Sequence, residues 1–145
     1  MNIYETIELL KTKLTDGSTD TEDLLYGINI LTDPYSDLTK NLPAVLFEAE
    51  KTEFENSARG YVIEQEHFLS LSCIVSAQNT SFDKFKSEVN QLAKNTIEKL
   101  NSVTDYKILN ITPVEQAHCE IMIGSLKATA VIISAKIRTY WKEQL

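Results

Sequence analysis

Histidine and cysteine are nearly missing from this chain: two of each occur in 145 residues. His67 and His118 lie far apart, and neither stands at ligand spacing from Cys73 or Cys119, so no metal-site pattern is present. Two thiols in a domain of this size build no disulfide framework and fit a reducing compartment. Glycine is scarce as well, at four residues. No GxGxxG, P-loop, GxSxG or HExxH occurs, and a phosphate cradle is not expected from so few glycines. Lysine and arginine form no stripe, which disfavours a grip on nucleic acid through its phosphates. No apolar run approaches the ~18 residues of a membrane span. The opening MNIYETIELLKTKL carries acids and lacks the basic start of a signal peptide. Neither a membrane, nor a specific nucleic acid, nor a cofactor is therefore expected as a partner.

What is present is acid and periodicity. The net charge is −7. Residues 1–60 hold 12 acids and 5 bases, against 9 and 9 in the remainder, so the charge sits on the front of the chain. Its plainest use is solubility. A length of 145 residues with 43% apolar content fits a single domain, 1–145, which buries about two-thirds of its unfolded surface and needs no staples.

The strongest signal is Glu66 to Gln78, where Leu69, Leu71, Cys73, Val75 and Ala77 alternate with Phe68, Ser70, Ser72, Ile74 and Ser76. This is a strand with one apolar face. Behind it the period changes: Phe82, Phe85, Val89, Leu92, Ala93, Thr96, Ile97 and Leu100 recur at three and four, predicting a helix of about five turns. Asn2, with Glu5 three residues on, caps a first helix striped by Ile3, Ile7, Leu10 and Leu14 and ended by Asp16-Gly17. Leu24 to Leu31 fits either a helix or a strand, and a short extended segment is the preferred expectation. Turn chemistry at Asp33 to Asp37 leads to Leu42-Pro43 and a strand from Ala44 to Glu55. Asn56 to Gly60 connects it to a return arm from Tyr61. After the long helix come a strand from Tyr106 that Pro113 places at an edge or bulge, a Gly124-Ser125 turn, and a final strand from Ala128 to Trp141. The expected class is α+β in the order α-β-β-α-β-β, with helices on one face of a mainly antiparallel sheet and long hairpin arms.

Candidate chemistry is thin. The carboxylates Glu48, Glu50, Glu53 and Glu55 alternate along a strand with Lys51 among them, the pattern of a solvated ribbon rather than of an acid/base pair. His118-Cys119-Glu120 near a hairpin reads as a solvated arm before it reads as a Cys–His nucleophile. No enzyme is expected. What stands out are strands longer than one small sheet needs, because unpaired edges invite partners. The charged hairpin arm, with Glu50, Lys51, Glu53, Phe54, Glu55, Arg59 and Tyr61, is expected to lie on a neighbouring copy. Lys136, Arg138, Tyr140 and Lys142 of the final strand are expected to receive it.

The order and size of these elements, with Leu42-Pro43-Ala44-Val45, the helix from Phe82 to Leu100 and the strand from Ala130 to Arg138, resemble the tail terminator (tail completion) proteins of long-tailed bacteriophages. The resemblance implies a structural, non-enzymatic subunit that forms a ring, usually a hexamer. Such a ring caps the tail tube and joins it to the capsid. The implied partners are further copies of the chain, the tail tube protein and a head-completion or connector protein. The implied location is the virion tail, with the host cytoplasm during assembly. The alternatives are a small cytosolic ferredoxin-like binding or regulatory domain, dimeric with a ligand between sheet and helices, and another head–tail joining or tail tube subunit. An enzyme built around His67, His118 and Cys119 ranks below these.

Overall fold

The computed structural model describes residues 1–33, 37–56, 60, 62–76 and 82–141. It is an α+β protein: α1 (Ile3–Thr15), β1 (Asn29–Leu31), α2 (Leu38–Asn41), β2 (Ala44–Asn56), β3 (Val62–Ser76), α3 (Phe82–Asn101), β4 (Ile108–Ile123) and β5 (Leu126–Tyr140). One sheet runs β1-β2-β3-β5-β4. All neighbours are antiparallel except β1 and β2, which pair in parallel over Asn29–Leu31 and Ala44–Leu46.

Local chemistry explains the elements. The Asn2 side chain accepts from the Glu5 amide at 2.8 Å and starts α1, whose Ile7, Leu10 and Leu14 are buried. Leu71, Val75, Val89, Leu92 and Ile133 meet in one core, joined by Leu10, Leu25, Phe47, Leu69, Leu100, Val131 and Ile137. Phe85, expected in the same cluster, has a side chain outside the described residues. Gly124, at φ 62°, opens the two-residue turn between Ile123 and Leu126.

Lengths decide what projects. Strands of 15 and 16 residues extend about 50 Å, whereas the 20-residue α3 is about 30 Å long. The helical layer therefore cannot cover the sheet from end to end.

Three expectations are corrected. Residues 24–31 are not one extended segment: turns run to Gly27, and only Asn29–Leu31 is strand. Leu25 plugs the core, and Asp23 anchors to Lys99 through contacts of 2.8 and 3.0 Å. The approach to Leu42 contains an unexpected four-residue helix, α2, which Asp37 caps by accepting from the Thr39 amide; residues 34–36 of the expected Asp33–Asp37 turn lie outside the described residues. The final strand is no sheet edge. β5 lies between β3 and β4, so both of its main-chain sides are taken. Pro113 fits its expected place: β4 is an edge strand, and its register shifts between Pro113 and Glu115.

Candidate assembly surface

Pairing parity sorts the arm onto two faces. Lys51 pairs with Phe68, Glu53 with Glu66 and Glu55 with Glu64, on the sheet face away from α1 and α3. Lys136, Arg138 and Tyr140 pair with Phe68, Glu66 and Glu64 and share that face. The residues expected to mate between copies are thus neighbours within one subunit. Arg138 Nε stands 3.8 Å from Glu64 Oε2. Lys51 and Lys136 place their ammonium groups 4.6 and 5.3 Å from the centre of the Phe68 ring, two cation–π contacts to one ring. Lys51 also meets Glu53 at 3.0 Å. The charges meant for a partner are partly answered at home, and β5 receives no strand along its main chain. Glu50 sits at the register shift between Ala49 and Lys51 and bulges the β2 edge. Arg59, Tyr61 and Lys142 lie outside the described residues.

The arm is also held more tightly than expected. β3 stays paired with β5 as far as Glu64 and Tyr140, and the Trp141 amide donates to the Ile63 carbonyl at 2.9 Å. Under this stretch, on the helix side, lies a buried polar knot. The Met1 carbonyl accepts from Gln65 Nε2 and from His67 Nε2 at 3.0 Å. A carbonyl only accepts, so Nε2 carries the ring proton. Nδ1 then accepts from the Thr52 hydroxyl at 2.8 Å. Burial holds His67 below its ordinary value, opposed by the Met1 carbonyl bond and reinforced by the nearby amino-terminal charge. The imidazole is thus a neutral structural group. The Thr139 hydroxyl completes the knot, 3.2 Å from both Gln65 Nε2 and His67 Nε2. No sequence pattern pointed to it, because its members are up to 138 residues apart.

Beyond the knot the same face turns apolar and open. Phe54 and Trp141 stack edge to face, with ring centres 5.1 Å apart and planes at 85°. Phe54, Ile63 and Trp141 are 54%, 45% and 43% exposed. Carboxylates of Glu53, Glu55 and Glu64 stand on the opposite face of the same strands. Phe54 was an expected arm residue. Ile63 and Trp141 were missed, because alternation alone does not tell that the helical layer stops short of them.

The candidates for covalent chemistry are not brought together. His118 and Cys119 are consecutive on β4 and point to opposite faces. His67 pairs across to Ile137 and His118 to Val131, six positions apart on β5 and so about 20 Å distant. Cys73 is buried and its thiol is pushed up to about 11 by desolvation, which makes it a poor nucleophile. No group of three or more metal-ligating side chains occurs among the described residues. No helix is long and apolar enough to cross a membrane. A groove of about 590 Å³ opens between Tyr26, Leu42, Pro43 and the Glu88–Asn95 side of α3.

No protein-family model matches this chain, and no curated protein is significantly similar to it.

Proposed function

We propose that this chain is a ring-forming virion assembly subunit of the tail-terminator class, which caps a tail tube and joins it to a capsid and performs no catalysis. The observation that carries this is the exposed aromatic end of the arm. Tryptophan and other aromatic side chains clustered at an edge, ringed by charge, are the composition of interface anchors. Phe54, Ile63 and Trp141 stand where the sheet outruns its helices, and among the described residues nothing covers them. In a closed ring each copy gives one surface and receives on another. The arm end gives. The open sheet face around Phe68, Lys136 and Ser134 receives by side chains, since β5 has no free main chain to offer. Ring partners then leave the two rims for the tail tube and for a head-completion protein.

Light scattering and negative-stain images test the assignment. The parent is expected to form closed rings. Phe54→Asp with Trp141→Asp is expected to stay folded and lose them. A parent that never assembles, or a double variant that assembles as well as the parent, overturns it. The groove beside Tyr26 and Leu42 favours a second reading, a small ligand-binding domain. The full ferredoxin-like strand order is not found, but β3 and β4, joined through α3 with β5 between them, reproduce its split unit. A monomer whose Tyr26→Ala variant loses a small-molecule ligand marks that alternative.

A further inference from the structure

The edge that most needs a partner is not on the arm. β2 is protected along its edge: β1 covers Ala44–Leu46, and a bulge and carboxylates interrupt the rest. On β4, register shifts and Pro113 break the stretch up to Glu115. From Glu115 to Ile123 nothing interrupts the ladder, and among the described residues nothing pairs with its outer side. This is nine residues of regular, unpaired strand, the feature that soluble proteins usually disguise.

The side chains select the occupant. Parity puts Glu115, Ala117, Cys119, Ile121 and Ile123 on the face away from the helices and Gln116, His118, Glu120 and Met122 on the helix side. Cys119, Ile121 and Ile123 already pack, half-buried, against Ile74, Ala128 and Ala130. A second copy brought up antiparallel about a two-fold axis perpendicular to the sheet keeps each face continuous, and residues pair symmetrically about one position. Centred on Ala117, His118 meets Gln116 and Glu120 falls on the bulge. Centred on His118, imidazole meets imidazole. Centred on Glu120, carboxylate meets carboxylate. Centred on Cys119, His118 meets Glu120 at both symmetric positions, Ala117 meets Ile121, and the two Cys119 side chains face each other on the axis. Only this register puts every imidazole opposite a carboxylate; the two small apolar clusters then meet at Cys119 and through Ile121 on Ala117, while Ile123 falls opposite Glu115 at the ends of the seam.

We infer that β4 is a self-pairing edge, through which two copies join their sheets in one continuous ten-stranded sheet registered on Cys119. The contact is isologous and lies at the sheet edge opposite β2. It goes beyond the ring assignment and stands whether or not that assignment holds.

Sedimentation across a wide range of protein concentration, with crosslinking by a short bis-maleimide, tests it. Two-fold association is expected, as a dimer or as rings joined in pairs, and Cys119 alone should trap it. Cys73→Ser keeps the crosslink because Cys73 is fully buried, and Cys119→Ser abolishes it. His118→Glu sets carboxylates opposite carboxylates and should weaken the dimer about tenfold. Glu120→His in the same chain should restore it, and at dilutions where every variant is monomeric the thermal midpoints should agree, because both sites are exposed in the single subunit. A parent that stays monomeric overturns the proposal. So does an assembly that bis-maleimide does not trap through Cys119, or a paired exchange that fails to recover what the single change lost. A ring held by the arm end alone gives no Cys119 crosslink, so the two contacts are told apart.

Discussion

Burial of a neutral imidazole at His67 makes the fold sensitive to mild acid. Its proton affinity is lowered in the folded chain from the ordinary value of 6.5. Between the folded and unfolded values the unfolded chain binds more protons, so stability is full above about 6.5 and falls as the pH drops below it. Urea midpoints measured at decreasing pH should show this loss before carboxylates titrate. In His67→Phe the loss in that window should vanish, although the variant is less stable at pH 8 with the Met1 carbonyl and Thr52 unanswered. Asp23 behaves in the same direction at lower pH. The Lys99 ammonium that donates to it holds its carboxyl below the ordinary 3.8, so its contribution is present above that value and lost further into acid. The pair is 11% and 18% exposed, between a surface pair worth under ~1 kcal/mol and a dry one whose breakage costs several. Lys99→Ala should therefore cost about 1–2 kcal/mol, read as a shifted denaturant midpoint.

At the scale of elements, the mated faces of sheet and helices carry the stability. Phe47 on β2 is buried against the α1 side of the core, and Phe47→Ala should cost about 3–5 kcal/mol. A loss below ~1 kcal/mol would mean that the cavity closes without cost. The arm behaves differently. Removing Thr52 to Val62 takes away the Thr52 hydroxyl that His67 accepts from, so that deletion disturbs the fold as well as assembly. Substitution at the exposed end, as in Phe54→Asp, separates the two effects. Helix and strand types were readable because each is a local period: Leu69-x-Leu71-x-Cys73 can bury one side only as a strand, and Val89, Leu92, Ala93 and Thr96 align only as a helix. Residues 24–31 were not readable, since Leu25 reaches the core from a turn and Ile30 from a strand of only three residues, too little for one period to show.

For the whole molecule, what counts is which surfaces remain after folding. Strand order leaves β4 and most of β2 at the edges and seals β5 between neighbours. It also turns Lys136 and Arg138 toward the carboxylates and the Phe68 ring of their own subunit. Glu50, Lys51, Glu53, Phe54 and Glu55 were recognisable as an arm by charge alone, but which of them would stay uncovered was not. The sequence by itself determined the α+β class, the buried faces of the strands and the long helix, the edge position of Pro113 and the turn at Gly124. Each of these follows from side-chain period or backbone freedom within a few residues. Only the tertiary structure decided that the last strand is central, that His67 is held between Met1 and Thr52, that Phe54 meets Trp141, and that the outer side of Glu115–Ile123 has no strand beside it among the described residues. These depend on contacts between residues far apart in the chain, and there the geometry of packing, rather than any local preference, selects the neighbour.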